Sequence, residues 1–276
     1  MPRNLIACRS FGAYRSMCSV IYTVMDVVLD VVLDTVMDKP GRDHLRTHQF
    51  FITPAHPCSY LPGREATTLF LDPRESVSEI LYSDLTDLGF RRSGAHLYRP
   101  HCQGCSACVP VRIPVDGFEL KRRHKRTLKK NRDLRVVLEP ASFQPKYFEL
   151  YERYISLRHR DGDMYPANTD QFKSFLLSPW ARTEFLCSYL GNKLVAVGAL
   201  DHQAQGFSAI YTFFDPELDD RSLGVFSILQ EIELCAETGV PYLYLGYWIK
   251  DCQKMSYKTE YRPLEMLVNE RWITLR

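Results

Sequence analysis

The sequence predicts an α+β chain: a small cysteine-bearing N-terminal module, then a larger domain of helices and antiparallel strands. Three observations predict it. Cys102, Cys105 and Cys108 are each two residues apart within YRPHCQGCSACVPV, just ahead of a dense basic run. From Leu134 onward the hydrophobic period reads strand, two helices, three strands, a helix and two more strands, in runs rather than in strict alternation. The composition, 45% hydrophobic and 25% charged over 276 residues, is that of a globular chain able to bury a sizeable core in one large domain or two modest ones.

The elements follow in order. Residues 1–48 read differently from the rest. Met1–Val20 holds Arg3, Arg9 and Arg15 and no acid, which loosely resembles an organelle presequence. Next, VMDVVLDVVLDTVMD places Asp26, Asp30, Asp34 and Asp38 at every fourth position, a low-complexity repeat that would stack like charges on a helix. This stretch is expected to be a disordered, nonessential extension, read through from an upstream start, in preference to a targeting peptide. No run reaches the ~20 apolar residues of a membrane span, so no membrane partner is expected.

Globular patterning begins near Gln49. QFFITPAHPCSYLPGREATTLFLD reads as two short extended segments around a proline-rich turn. Asp72 is expected to cap a helix with Pro73 at its first position, and Val77, Ile80, Leu81, Leu85 and Leu88 give that helix its apolar face. Gly89 ends it, and Phe90–Tyr98 reads as one strand leading to the cysteines. Past the basic run, Leu134–Leu138 is a strand. Tyr147, Leu150, Tyr151, Tyr154 and Ile155 mark a helix, and Phe172, Phe175 and Leu176 a shorter one. Glu184–Leu190 and Lys193–His202 are strands joined by the two-residue turn Gly191-Asn192. Gly206–Phe214 is a third strand, stopped by Asp215-Pro216. Ser222–Thr238 is an amphipathic helix closed by Gly239, and Tyr242–Tyr247 and Glu265–Trp272 are strands. The expected units are therefore 1–48, a cysteine-containing module over 49–120, and an α+β domain over 121–276.

The net charge is only +2, so basic character is local. Between residues 121 and 135 stand Lys121, Arg122, Arg123, Lys125, Arg126, Lys129, Lys130, Arg132 and Arg135, against the single acid Asp133. A solvated helix face is the ordinary meaning of a charge run, but a run of nearly one sign favours nucleic acid or phosphate. Nine cysteines in a long chain without a secretory signal argue for a reducing compartment rather than a disulfide framework. Zinc takes four tetrahedral ligands and iron–sulfur clusters four thiolates. Cys102, Cys105 and Cys108 supply three, and Cys58, His101 or His56 the fourth; Cys58 completes an all-thiolate set. Cys187 and Cys235 read as core fillers, and Cys252 as scattered with them.

HPCSYLPGREATTLF (56–70) and YRPHCQGCSACVPVRIPV (98–115) resemble the N-terminal module of arginyl-tRNA–protein transferases. SLGVFSILQEIELCAETGVPYLYLGYWIKDCQKMSYKTEYRPLE (222–265) resembles their C-terminal module, with KMSYKTEYRP its most distinctive segment. The resemblance runs from about residue 49 to the end. The single Cys58 in the first motif, in place of the paired cysteines of the eukaryotic enzymes, is similar to the short bacterial form. That resemblance implies a GNAT-like acyltransferase domain and a cytoplasmic enzyme. It would move leucine from leucyl-tRNA to the N-terminal α-amine of proteins beginning with Asp or Glu, marking them for degradation. Arginyl-tRNA is the alternative donor. A non-catalytic, metal-containing RNA-binding protein is the alternative of another class, but it leaves the long C-terminal domain without a role. A CoA-dependent acetyltransferase would need a glycine-rich turn before the last long helix. DDRSLGVFS offers only Gly224 beside two acids, so no CoA is expected.

Aminolysis of an ester needs no enzyme nucleophile, because an α-amine with a pKa near ~8 is partly neutral at physiological pH. The site must position two substrates and stabilise an oxyanion. Candidates at strand ends and in the tail are Tyr211, Asp215, Tyr247, Lys254, Tyr257 and Lys258. Arg64 and Arg112, in proline-flanked segments near the cysteines, are candidates to read the acceptor's carboxylate, since a guanidinium binds it bidentately. Lys121, Arg122, Arg123, Lys125, Arg126, Lys129 and Lys130 are expected on tRNA phosphates.

Overall fold

A computed structural model describes Leu45 and residues 48–276; the arginine-bearing leader and the aspartate repeat lie outside the described residues. The N-terminal part contains β1 (Phe50–Ile52), β2 (His56–Pro57), β3 (Glu65–Ala66), β4 (Thr68–Leu71), helix α1 (Glu79–Asp87), β5 (Arg91–Ser93) and β6 (His96–Pro100). Then come β7 (Val109–Pro114), α2 (Arg122–Lys130), β8 (Leu134–Pro140), α3 (Pro145–Arg158), α4 (Thr169–Leu176), β9 (Thr183–Leu190), β10 (Lys193–Gln203) and β11 (Gly206–Phe214). A 3-10 turn (Pro216–Arg221), α5 (Leu223–Thr238), β12 (Tyr242–Trp248), a second 3-10 segment (Gln253–Glu260), β13 (Leu264–Val268) and β14 (Arg271–Leu275) complete it.

Two sheets carry this order. The smaller runs β1-β4-β6-β5. All four residues of β4 are buried, and Leu81, Tyr82 and Leu85 of α1 close over Phe50, Leu69, Phe90 and Leu97. The larger sheet runs β14-β13-β7-β12-β11-β10-β9-β8. Tyr147 and Tyr151 of α3 and Phe172 of α4 pack with Phe185 and Cys187 of β9, while Ile228, Leu229 and Ile232 of α5 pack with Leu186. Because neighbouring strand residues point to opposite faces, the two helical layers cover opposite faces of the sheet.

One joint of the large sheet differs from the others. β11 and β12 run parallel and pair only from Gly206–Ser208 to Tyr242–Tyr244. Beyond that point β12 bulges between Tyr244 and Gly246 as it follows β7, and Gly246 takes φ +78°, a conformation that favours glycine. The second half of β11 therefore parts from β12 and opens a crevice in the sheet.

Several sequence expectations are corrected here. Asp72 does not cap α1; its carboxylate takes the backbone and guanidinium of Arg74, and Ser78 is the cap, accepting from Leu81 N at 3.1 Å. Phe90–Tyr98 is a hairpin, β5–β6, turned at Gly94 (φ +59°). Glu265–Trp272 is also a hairpin, β13–β14, with Asn269 and Glu270 both at positive φ. β7 was not expected, and it belongs to the large sheet, so the boundary drawn at residue 120 falls after the first strand of the larger unit.

Candidate functional site

The crevice between β11 and β12 deepens into a cleft of about 670 Å³, closed from the side by the N-terminal module. Arg91, the first residue of β5, enters the opening. Its Nη1 donates to Ser208 Oγ at 2.8 Å, its Nη2 donates to the Ala209 carbonyl, and its guanidinium lies against Gly246. Arg91 is buried, yet among the described residues no carboxylate forms an ion pair with it. Its neighbour Arg92 is the opposite case. It is fully buried against Asp201 of β10, whose carboxylate also accepts from Tyr82 and Thr183 at 2.6 and 2.7 Å. Arg92 fastens the small module to the large sheet; Arg91 presents a charge to the cleft.

Two further ionisable groups line the cleft. Lys258, from the 3-10 segment of the KMSYKTEYRP motif, is buried and donates to the Tyr247 carbonyl at 2.6 Å. Burial, and secondarily the charge of Arg91, pushes its pKa down to about 7. Glu231, one turn beyond Ile228 on α5, is 0% exposed, and neither carboxylate oxygen has a hydrogen-bond partner among the described residues. Burial pushes its pKa up to about 8.

Five of the six predicted catalytic candidates come together here: Tyr211, Tyr247, Lys254, Tyr257 and Lys258 all line the cleft. Tyr247 is tied to the framework through its hydroxyl, which donates to Gly89 O at 2.7 Å. The Tyr211 ring packs against Tyr154, Phe175 and Phe213. Lys254 reaches Asp161 at 3.7 Å, and His159, which burial pushes down to about 4, forms the wall nearby. Asp215 is corrected. It is fully buried outside the cleft, accepting from Glu217 N at the head of the 3-10 turn and pairing with Arg153 and Lys193.

The two arginines expected to read the acceptor are elsewhere. Arg112 on β7 pairs with Asp87 at 2.9 Å and Glu265 at 2.7 Å, with its guanidinium 3.6 Å from the centre of the Tyr242 ring. Its charge is already satisfied. Arg64 is exposed and reaches Cys105 Sγ at 3.6 Å. Cys58, Cys105 and Cys108 gather around Leu61, Ile249 and Cys252, so Cys252 is a member of the cluster that its sequence position hid. Two of the thiols also make hydrogen bonds to the backbone. Cys58 Sγ accepts from Leu61 N, and Cys102 Sγ donates to Thr67 O. Among the described residues no three His, Cys, Asp or Glu side chains come close enough to hold a metal ion. Burial pushes the Cys108 thiol up to about 12, and Cys58, Cys102 and Cys105 add to that rise, so the four expected thiols lie in one neighbourhood.

The basic run is a helix, α2, with Lys121 at its N-cap. Its charges largely oppose an isolated helix: no acid stands in its first turn, and Arg122–Arg126, Lys125–Lys129 and Arg126–Lys130 are like charges four apart, although Lys129 and Lys130 suit its C-terminal end. Tertiary contacts hold it. His124 is buried and packs against both Phe118 and Tyr261, with ring centroids 5.9 and 5.3 Å away, and those two rings also touch each other. Arg123 pairs with Glu260, Lys121 Nζ donates to Glu260 O at 2.7 Å, and Lys130 pairs with Asp220. Arg122, Lys125, Arg126 and Lys129 are exposed with no ion pair among the described residues. Arg126, Lys129, Lys130 and Arg132 line a second, open cleft of about 790 Å³. Since Tyr261 also lines the first cleft, one aromatic stack joins the basic helix to it.

Sequence reasoning missed Arg91 and Glu231. Arg91 sits in a short strand of a polar hairpin, and Glu231 reads as the solvent face of an amphipathic helix; neither carries a local signal.

Residues 56–126 match the family described as arginine-tRNA-protein transferase, N terminus, and residues 146–268 its C terminus. The chain belongs to this family. A relative from Hahella chejuensis is 53% identical over 84% of this chain and 99% of its own length. One from Alcanivorax borkumensis is 55% identical over 83% of this chain and 94% of its own. Both are named aspartate/glutamate leucyltransferase. A solved structure, the C-terminal domain of a protein described as a lysylphosphatidylglycerol synthetase from Agrobacterium fabrum, aligns with a TM-score of 0.40 at 16% identity over 62% of this chain and 52% of its own; that likeness carries no argument. Among the described residues no helix is long and apolar enough to cross a membrane.

Proposed function

We propose that the protein transfers leucine from leucyl-tRNA to the N-terminal α-amine of proteins that begin with Asp or Glu, in the reducing cytoplasm. The observation that carries this reading is the continuity of two surfaces. A self-repelling basic helix suited to phosphates leads, through the His124–Tyr261 stack, into a cleft where Arg91, Lys258 and Glu231 form no ion pair among the described residues. The relatives' shared name supplies the chemistry that such a surface would serve.

The tRNA backbone lies along Arg122, Lys125, Arg126 and Lys129, and its aminoacylated end enters at the splayed strands. The apolar side chains of Val225, Ile228, Leu245 and Met255 offer the leucyl group its contacts. The acceptor's side-chain carboxylate goes to Arg91, whose planar fork holds it bidentately and rejects the neutral amide. Lys258, held by the Tyr247 carbonyl, is placed to oppose the charge that develops on the ester oxygen. Attack by the amine forms the N–C bond and breaks the C–O bond to the ribose, and no cysteine takes part. The large unit, with its three antiparallel strands, long helix and adjoining parallel strand, is read as a GNAT-like acyltransferase that uses tRNA in place of CoA.

The test is a transfer assay pairing leucyl- or arginyl-tRNA with peptides beginning in Asp, Glu, Asn, Lys or Ala. Leucine should appear on the Asp and Glu peptides. Transfer of arginine instead, or no transfer from either tRNA, overturns the reading.

A further inference from the structure

The least explained group in the cleft is Glu231. It is 0% exposed, it lines the cleft, and among the described residues both of its oxygens lack a hydrogen-bond partner. An acid buried without a partner is costly even when it takes a proton, and far more so while it stays charged. A framework role on α5, among Ile228 and Ile232, would be better met by a leucine. The surroundings make room for the carboxylate. A Cβ on Gly198 of β10 would stand 2.6 Å from Glu231 Oε1, so the glycine leaves the space that the acid fills. The nearby cations do not pair with it. Lys258 is engaged by the Tyr247 carbonyl and Arg91 by Ser208 and Ala209, and neither forms an ion pair with Glu231. Glu231 and Arg91 nevertheless line the same cleft, together with Tyr257.

We infer that Glu231 is the cleft's receptor for a primary ammonium group, either the α-amine of the acceptor's first residue or the α-amine of the leucyl ester. This rests on the transferase reading above and adds to it the second half of a zwitterion-binding pair: Arg91 for a carboxylate, Glu231 for an ammonium. An N-terminal Asp or Glu presents both groups, which favours the acceptor as the source. An ammonium brings three donors, enough to satisfy both orphaned oxygens.

The test measures equilibrium binding to wild type, Glu231→Gln and Gly198→Ala. One arm compares an Asp-starting peptide with its N-acetylated form; the other compares leucyl-tRNA with N-acetylleucyl-tRNA. Gly198→Ala displaces the carboxylate without removing it and stands in should Glu231→Gln fold poorly. Wild type should prefer one free amine by about tenfold or more, as a charge-assisted hydrogen bond gives, and both variants should lose that preference. Loss in the peptide arm assigns the acceptor amine, and loss in the tRNA arm the leucyl amine. If wild type shows no preference, or if both variants keep it, the inference is overturned. Leucine transfer by wild type, assayed in the same preparations, separates the two readings. Transfer with unaltered amine preferences sinks only the role of Glu231. A Glu231-dependent preference without transfer sinks only the transferase.

Discussion

Arg112 and Arg91 both bury a guanidinium against the central sheet, and they do so in opposite ways. Arg112 has a carboxylate on each side, Asp87 and Glu265, a tyrosine hydroxyl at 3.2 Å, and the rings of Tyr242 and Trp272 within 3.6 and 4.2 Å. Its Nε and Nη1 are both engaged by side chains of the protein itself. Arg91 has a serine hydroxyl and one carbonyl, no acid paired with it among the described residues, and an open cleft in front of it. Glu231 and Lys258 share its condition of burial without an opposite charge. A buried charge that is fully paired belongs to the framework, whereas one left unpaired has a desolvation cost that only a ligand can offset.

The sharpest break of this comparison is Arg112→Met. It leaves the Asp87 and Glu265 carboxylates facing each other without a cation, at a cost of about 3 kcal/mol. The melting temperature should fall by roughly 6–12 °C, while transfer per folded molecule at low temperature stays near wild type. Intact stability with altered acceptor choice would place Arg112 on the functional side instead. The matching change, Arg91→Gln, should do the reverse. Preference for Asp- over Asn-starting peptides should drop by about 10–100-fold, the worth of a charge-assisted hydrogen bond, with unfolding in urea little changed.

Proton linkage offers a second contrast. Lys258 has a folded pKa of about 7, below its ordinary 10.5, so its contribution to stability is present above pH 10.5 and is lost as pH falls through 7. Glu231 has a folded pKa of about 8, above its ordinary 4.5, so its contribution is present below pH 4.5 and is lost as pH rises through 8. Near pH 7.5 both groups therefore weaken the fold. Lys258→Met should raise the melting temperature there by about 2–4 °C, equivalent to roughly 1 kcal/mol, with the gain vanishing toward pH 10.5. Glu231→Gln should flatten the pH dependence of stability between 4.5 and 8. Melting curves across pH 5–10 check both, and a gain for Lys258→Met that grows toward pH 10 contradicts the assignment.

Most of the helices and strands were legible because their periodicity is strong: the Tyr147–Ile155 face, the Gly191-Asn192 hairpin and the Ser222–Thr238 helix appear nearly where patterning put them. β7 was not legible because VPVRIP carries two prolines, which argue against a central strand. The strand tolerates them because β13 pairs only with Val111 and Arg112, between Pro110 and Pro114. The β13–β14 turn was missed because its two positive-φ residues are Asn269 and Glu270 rather than glycine. At the site, the tail motif pointed to Lys254, Tyr257 and Lys258. Arg91 and Glu231 became visible only when the fold set them in the same cleft, since burial without a partner is a tertiary property.

The basic helix sharpens the comparison from outside the core. Its unpaired charges are exposed, so they cost little in the free protein and should matter only to an anion. Replacing Lys125, Arg126 and Lys129 by Ser should weaken tRNA binding and reduce the magnitude of its salt slope by about 0.7–0.9 for each phosphate no longer neutralised. Stability should hold or rise slightly as like-charge neighbours four apart are removed. An unchanged slope assigns this face to solvent.

The smallest effect belongs to Arg64. It lies in the segment the family resemblance marks, yet it is exposed, and its guanidinium reaches only a thiol, Cys105 Sγ at 3.6 Å, among the described residues. It is not among the residues that line the cleft. Exposed charges with such partners contribute within about 0.5 kcal/mol. Arg64→Gln should therefore leave urea unfolding unchanged and keep the full preference for Asp over Asn that Arg91→Gln removes. The comparison is informative because the two substitutions are chemically identical and differ only in where the guanidinium stood. If Arg64→Gln abolishes acceptor discrimination while Arg91→Gln spares it, the carboxylate is read beside the cysteines, and the cleft cation serves the tRNA end instead.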